Sequence, residues 1–224
     1  PHVGKNFQDH LGLDYLYKTY FPTLNKDLGT WGGRVRSFLQ YVYNRKGPLS
    51  LSLNQGGGYV NWKSLDPYPN IQLYFNPLTY SLSFKNKRPL LRTDKFNGFM
   101  IGFNSCRPKS LGEVNLKNVN NDFVPSIDPR YLSDERDIHD LYSIFDFVRK
   151  FSLNKNIKNI IKSPVSIDPI QLSDVELLAH FKSNATTIYH PCGTCRMSKE
   201  VNTGVVSEKL KVHGLDNLWI VDAS

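Results

Sequence analysis

Residues 186–197, TTIYHPCGTCRM, place an imidazole, two thiols and a turn of small residues in one short segment. Pro191 restricts the residue before it, His190, to extended backbone and so makes its position stiff. Gly193 allows a turn that a side chain would hinder, and Thr194 adds a small hydroxyl. A rigid imidazole beside such a turn suits a general base held against a flat cofactor. His190 is therefore the candidate catalytic residue.

Other chemistries are open to the same segment. His190, Cys192 and Cys195 could bind zinc, but a structural zinc site needs four ligands, and the sequence has no second CxxC or HxxxH pair. A thioredoxin-like CxxC pair opens a helix after a strand, and nothing upstream has that pattern. Haem attachment requires a histidine where Arg196 stands. We predict no metal site, while a histidine packed in a structural turn stays an alternative.

The C-terminal segment 204–224 leads through an apolar run, residues 218–221, to Asp222. Because the run is apolar on both faces, it predicts a strand buried in a parallel sheet. Ligands of open α/β sheets bind outside the carboxyl ends of the strands. Asp222 could there accept a hydrogen bond from a ribose or ribityl hydroxyl, with the Ala223 backbone near a phosphate. A plain exit from a strand into a loop explains the residues equally well.

The periodicity of apolar residues indicates which elements position these groups. It predicts a helix over 31–43 that stops at Gly47-Pro48, and a flexible or close-packed stretch at Gly56–Gly58. It predicts strands at 71–75, 78–84, 99–103 and 112–116. Two helices follow, one carrying Ile138, Leu141, Phe145 and Val148, and one that starts with the capping box of Ser173 and Glu176. Strands followed by helices favour an α+β fold, an antiparallel sheet with helices on one side.

Composition excludes several classes of protein. The 224 residues are 40% hydrophobic and 21% charged, which is typical of a globular protein. No apolar run approaches the roughly 20 residues that a membrane-spanning helix needs. The net charge of +8 comes from two loose groups without a nucleic-acid motif, so we predict a solvated basic surface and no nucleic-acid partner, with an acidic or lipid partner as the alternative. The groups are Lys85, Lys87, Arg88, Arg92 and Lys95, and Lys155, Lys158 and Lys162.

Three cysteines, Cys106, Cys192 and Cys195, cannot all pair with one another. They exclude a disulfide scaffold and favour a reducing compartment. We therefore expect a cytoplasmic location, with association with a membrane left open.

Four segments together resemble the glucose-methanol-choline (GMC) oxidoreductase family, particularly its choline- and alcohol-dehydrogenase-like members. VGKNFQDH (3–10) resembles the family's VGxNLQDH. CRPKSLGEVNLKN (106–118) with PSIDPRYLSDERDI (125–138) is similar to its mid-domain signature. YHPCGTCRM (189–197) resembles HPxGTCRMG, and the segment 204–224 resembles the one before the family's C-terminal helix. The four span almost the whole chain in order.

The resemblance implies FAD as the cofactor and a small-molecule alcohol as the substrate, oxidised to an aldehyde or ketone. It leaves the electron acceptor open among oxygen, a quinone and another carrier. His190 falls on the family's catalytic histidine, and Asp222 and Ala223 fall on the segment that contacts the ribityl-phosphate part of the flavin. Asn6 and His10 match motif positions near the flavin domain.

The resemblance also implies a domain organisation. Residues 1–13 would form the edge of an FAD-binding α/β domain, 14–182 the substrate-binding domain, and 183–224 the catalytic-histidine segment with the return to the FAD-binding domain. The family's N-terminal GxGxxG region is absent, and so is the segment after VDAS that supplies the partner of the histidine. We therefore expect the chain to be the C-terminal part of a protein over twice as long, whose N-terminal half is its partner.

Two departures from the family pattern predict local changes in loops. His2 stands where the family has glycine, and Ser198 replaces the glycine after CRM. Two rival functions are a non-catalytic binding module derived from the same fold and a structural or interaction protein. For choline, whose quaternary ammonium binds to aromatic rings, the sequence offers Trp31, Tyr59, Trp62 and Tyr74, with core or surface roles as the other account.

Overall fold

The structure is a computed structural model that describes residues 2–83, 90–119 and 122–224. The chain divides into two compact units. The first unit comprises Pro1–Gly12, Ser105–Leu141 and Thr186–Ser224, and the second comprises Leu13–Asn104 and Tyr142–Ala185. Among the described residues, no helix is both long enough and apolar enough to cross a membrane.

Most of the described strands lie in the first 128 residues. The strands are β1 (Leu11–Thr19), β2 (Gly56–Val60), β3 (Ile71–Asn76), β4 (Tyr80–Ser83), β5 (Leu90–Thr93), β6 (Gly98–Ser105), β7 (Glu113–Val119), β8 (Asp122–Asp128), β9 (Ile161–Pro164) and β10 (Thr186–Thr187). Helices α1 (Leu24–Leu28) and α2 (Trp31–Asn44) lie between β1 and β2. Helices α3 (Glu135–Leu153), α4 (Lys155–Ile160) and α5 (Asp174–Asn184) follow β8.

The second unit is built on a sheet. Its strands run in the order β1-β6-β3-β2, with β9 also paired to β1. The pairs β2–β3 and β1–β9 are antiparallel, and β4–β5 forms a separate antiparallel hairpin. Gly57 of β2 allows a close approach, because a Cβ on it would lie 2.5 Å from the carbonyl oxygen of Leu73, whereas a Cβ on Gly58 would meet nothing within 4 Å. The stretch Gly56–Gly58 is therefore strand that is close-packed at Gly57.

Aromatic side chains from the sheet and from α3 and α5 form the core of the second unit. Phe99 stacks on Tyr17 with ring centroids 5.4 Å apart, and Phe145 contacts Phe181 edge to face at 6.4 Å. Such pairs add to the free energy that burial of the rings provides. The core side chains are less than a tenth exposed; they include Tyr15, Tyr17, Ile71, Phe99, Met100, Phe103, Phe145, Val148, Leu177 and Phe181.

The first unit contains the hairpin of β7 and β8 and two long irregular segments. Strand β10 pairs antiparallel with the start of β1, Leu11 opposite Thr187. Beyond β10, residues 188–224 form loops joined by single bridges, such as that of Val206 with Val212. These loops carry the candidate site.

Most predicted elements are confirmed. The helix expected over 31–43 is α2, although it ends at Asn44, three residues before Gly47, because Arg45 adopts a left-handed conformation. The capping box of Ser173 and Glu176 starts α5. The α+β class with antiparallel pairing holds. Part of the strand expected over 78–84 and three basic residues, Lys85, Lys87 and Arg88, lie outside the described residues.

The prediction of a buried strand at 218–221 is wrong for the described chain. In the described chain this run forms a single bridge, between Trp219 and Lys211. Trp219 is 52% exposed and Val221 is 74% exposed. An apolar run on both faces indicates burial only when neighbours cover both faces, and here the run pairs on one side alone.

Candidate active site

The segment with the candidate histidine is held along the N-terminal segment by a ladder of backbone hydrogen bonds. Cys192 and Gln8 exchange two such bonds, of 2.8 and 2.9 Å. The amide of Gly4 donates to the carbonyl of Thr194 at 2.8 Å, and the amide of Ile188 donates to the carbonyl of His10 at 3.1 Å. The VGKNFQDH and HPCGTC motifs therefore run alongside each other and are joined by backbone hydrogen bonds.

His190 lies where this ladder is interrupted. Among the described residues, no backbone hydrogen bond joins the two segments between Ile188 and Cys192. Tyr189 adopts a left-handed conformation with φ of 63°, which is uncommon for a bulky residue and turns the chain out of the strand. Pro191 has no amide hydrogen to donate. The His190 amide instead donates to the Asp9 carboxylate at 3.0 Å.

Asp9 is a buried acid, 6% exposed, and both of its oxygens are used. One oxygen accepts from the His190 amide, and the other accepts from the Tyr131 hydroxyl at 2.6 Å and the Thr187 hydroxyl at 2.5 Å. Burial by itself would raise the pKa of Asp9, but these hydrogen bonds together outweigh it and hold the pKa below its ordinary value. Asp9 is therefore an ionised acceptor at neutral pH.

Tyr131 shows the reciprocal effect. Burial, the hydrogen bond that its hydroxyl donates to Asp9, and the charge of that carboxylate raise the pKa of Tyr131 to about 12. The hydroxyl therefore stays protonated and remains a donor to Asp9 throughout the neutral range.

The His190 side chain is exposed and accessible. Its ring meets that of His10 edge to face, with centroids 5.7 Å apart. The His10 ring is itself fixed, because its Nδ1 lies 2.8 Å from the carbonyl oxygen of Ser105. A carbonyl oxygen can only accept, so Nδ1 of His10 carries the proton and donates. Asp9 thus contacts the backbone of His190, and His10 contacts its ring.

The turn after His190 requires glycine. Gly193 has φ of 86°, a conformation that L side chains rarely adopt. A Cβ at this position would lie 2.3 Å from the carbonyl oxygen of Asn6. Asn6, a motif residue without a role at the sequence level, contributes here through its backbone, itself left-handed with φ of 59°.

The same turn binds the C-terminal segment. The amide of Gly193 donates to the carbonyl of Ala223 at 3.1 Å, and the amide of Cys195 donates to the carbonyl of Ser224 at 2.5 Å. Asp222 is exposed, and its carboxylate accepts from both the amide and the hydroxyl of Ser224. These hydrogen bonds from Ser224 lower the pKa of Asp222.

A cavity of about 270 Å³ opens between the turn and the C-terminal segment. Its lining comes from three stretches of the first unit, Cys192–Met197, Val206 to Leu210, and Ile220 to Ser224. The structure therefore brings the turn that begins at Cys192, two residues after His190, together with Asp222 and Ala223, while His190 itself is not part of the cavity lining. The apolar side chains of the cavity come from Met197, Val206, Leu210 and Ile220.

Ser198, the departure from the glycine of the family pattern, caps a turn. Its hydroxyl lies 2.5 Å from that of Thr203 and accepts from the amide of Glu200 at 3.1 Å. Arg196 donates to the carbonyl of Thr203 at 2.7 Å across the same turn. Residues 198–203 thus form a compact turn in this chain.

The structure also gives the surroundings of the cysteines and of the aromatic residues named above. All three cysteines are free, and within the described ranges no group of three or more His, Cys, Asp or Glu is placed to hold a metal ion. In the described chain, no ring contact joins any two of the four aromatic residues. Trp62 instead has Lys150 over its ring at 4.7 Å and donates to Asp146 at 2.8 Å.

Sequence reasoning missed Asp9, although the quoted motif contains it. The signal available was an acid directly before His10 and the start of β1, in a segment that is otherwise neutral apart from Lys5. Its importance depends on Thr187 and His190, which are far away in sequence. The mid-domain signature has a structural role instead: the buried Asp137 accepts from the amides of Lys109 at 2.7 Å and Ser110 at 2.9 Å.

Comparison with known proteins gives a consistent family assignment. Residues 108–224, more than half of the chain, match the family model described as GMC oxidoreductase. The alcohol dehydrogenase [acceptor] of Pseudomonas putida is 33% identical over the whole chain, which covers 40% of that protein. The oxygen-dependent choline dehydrogenase of Cronobacter sakazakii is 28% identical over the whole chain, which covers 39% of it. The chain thus spans about 40% of the length of these relatives.

A solved structure shares the fold. The formate oxidase of Aspergillus oryzae RIB40, studied for the modification of its FAD, superimposes with a TM-score of 0.83 at 24% identity. The match covers all of this chain and 43% of that one. At this level of identity the likeness concerns the fold.

Proposed function

The chain belongs to the GMC oxidoreductase family, and from that premise we propose that it is the C-terminal part of a longer FAD-dependent enzyme that oxidises a primary alcohol to an aldehyde. His190 is the proposed general base, and Asp222 and Ala223 are the proposed cofactor contacts. The relatives named above act on alcohols or choline by their names, which supports this substrate class.

One observation carries the proposal. The exposed imidazole of His190 stands on backbone that is fixed on both sides, by the Asp9 carboxylate at its own amide and by the hydrogen bonds of the next turn to Ala223 and Ser224. In this chain His190 is exposed while its backbone is held, an arrangement that supports a role as general base.

The residues at the cavity fit part of an FAD molecule. Asp222 is ionised and exposed, so it can accept a hydrogen bond from a ribityl hydroxyl beyond the two from Ser224, since a carboxylate has about four acceptor positions. The backbone of Ala223 is fixed by Gly193. When bound, FAD supplies the acceptor for the hydride that leaves the substrate carbon.

The protein's own step is the proton transfer. An imidazole nitrogen of neutral His190 accepts the hydroxyl proton of the alcohol while the C–H bond breaks, and the carbonyl double bond forms between carbon and oxygen. The imidazolium that results stabilises the negative charge that develops on the substrate oxygen. His10 limits the rotation of the His190 ring through their edge-to-face contact.

The proposed reaction is tested by anaerobic titration of the full-length protein with a panel of primary alcohols that includes choline. We expect the protein to purify with FAD, and we expect at least one alcohol to bleach the visible absorbance of the flavin. Bound flavin that no alcohol reduces would contradict the dehydrogenase proposal. Absence of flavin would favour the binding module derived from the same fold.

A further inference from the structure

We propose that Asp9 is a positioning residue for His190, which it holds by accepting the hydrogen bond of the histidine's backbone amide. This inference rests on the proposed function of His190, because it assigns to Asp9 the placement of the general base. Asp9 itself touches neither the imidazole nitrogen that takes the proton nor any cofactor contact named above.

The amide of His190 needs such an acceptor because the ladder of backbone hydrogen bonds is interrupted there. Left-handed Tyr189 turns the chain away from the N-terminal segment, and its own amide donates to the hydroxyl of Thr187 at 2.9 Å. Pro191 offers no donor, so the His190 amide is the one backbone donor between these two residues. The Asp9 carboxylate extends from the opposite segment into the interruption and accepts from it at 3.0 Å.

The carboxylate is held in place independently of His190. Its other oxygen accepts from Tyr131, in the turn after β8, and from Thr187, in β10. These two hydroxyls satisfy the buried charge, and they leave the first oxygen directed at the amide. Asp9 therefore joins three segments that are distant in sequence, and the position of His190 is fixed relative to all of them.

Accurate placement matters more for this residue than for its neighbours. Within this chain, the His190 ring contacts the His10 ring, and the His190 backbone is fixed by the Asp9 carboxylate. A displacement of about 1 Å of a catalytic group can lower the rate on the order of 100-fold. Loss of the Asp9 bond should therefore lower turnover while substrate affinity changes little.

The test compares two substitutions in the full-length protein, Asp9→Ala and Asp9→Asn. Asparagine keeps an oxygen that can accept from the His190 amide, and its NH2 group can donate to the hydroxyl oxygens of Tyr131 and Thr187. Alanine removes every acceptor. We expect Asp9→Ala to lower kcat by at least about 10-fold with KM nearly unchanged, and Asp9→Asn to recover most of that loss. Asp216→Ala, which removes an exposed acid paired with Lys211, is the matched control.

A second readout does not depend on activity. Hydrogen exchange of the peptide that contains His190 reports the hydrogen bond of its amide directly. We expect faster exchange of this peptide in Asp9→Ala than in Asp9→Asn, and unchanged exchange of α5, which lies in the second unit. This result would stand even if His190 proved not to be the base, so failure of the inference and failure of the proposed function are distinguishable.

Three outcomes would overturn the inference: normal kcat in folded, flavin-loaded Asp9→Ala, equal kcat losses in both variants, or unchanged exchange at His190. If Asp9→Ala does not fold, the pair Thr187→Val and Tyr131→Phe replaces it, since each removes one donor that orients the carboxylate. Lowered kcat with retained KM in both would support positioning, and wild-type kcat in both would refute it.

Discussion

Replacing His190 by alanine in the full-length protein is expected to lower alcohol turnover by at least about 100-fold, the scale of a lost general base. Without the imidazole, the proton of the substrate hydroxyl must pass to water, and no cation forms beside the developing negative charge. The side chain is exposed and its backbone bond to Asp9 does not involve the ring, so stability should change little. Steady-state kinetics with a reactive alcohol measure the loss.

His180→Ala is the control for this experiment, because His180 lies on α5 in the second unit and bonds to Asn184 on the same helix. It should retain wild-type turnover. FAD content and thermal unfolding of both variants show whether any loss of activity reflects the chemical step. Turnover by a folded, flavin-containing His190→Ala protein within a fewfold of wild type would remove His190 from the mechanism.

Gly193→Ala is expected to destabilise the first unit strongly. A non-glycine residue with φ of 86° stores about 1–3 kcal/mol of backbone strain. In addition, the new Cβ would lie 2.3 Å from the carbonyl oxygen of Asn6, a backbone atom that cannot move aside without shifting the N-terminal segment. We therefore expect a loss of at least about 2 kcal/mol in the free energy of unfolding, together with reduced flavin content.

The chain provides a matched control for this substitution. Gly214 also has a positive φ, 75°, but nothing lies within 4 Å of a Cβ built on it. Gly214→Ala should therefore carry the strain of the left-handed conformation alone, about 1–2 kcal/mol. Chemical denaturation of the two variants separates the cost of the left-handed conformation from the cost of the contact with Asn6. Equal losses in both would show that the contact of Gly193 with Asn6 is without consequence.

Features set by neighbouring residues were predictable from the sequence. The start of α5 at Ser173 follows from a capping box within one turn, and α2 follows from apolar spacing. The positive φ of Gly193 fits the sequence pattern, because a tight turn among small residues favours glycine. In each case the information lies within a few positions of the feature.

Features set by distant residues were not predictable. Asp9 gains its role from Thr187 and His190, and the sequence does not tell which acid will face an interrupted ladder. The apolar run at 218–221 predicted a buried strand, because sequence reports the chemistry of both faces but not what covers them. The family resemblance points to His190 and Asp222, and the backbone hydrogen bonds between their segments are visible only in three dimensions.

The central claim is that the imidazole of His190 takes the substrate proton. The most direct measurement is a crystal structure of the full-length protein with FAD and an unreactive analogue of the alcohol. We predict an imidazole nitrogen of His190 within hydrogen-bond reach, about 2.6–3.2 Å, of the analogue's oxygen. A structure in which the analogue binds elsewhere on the flavin, with another group at its oxygen and His190 directed to solvent, would contradict the claim.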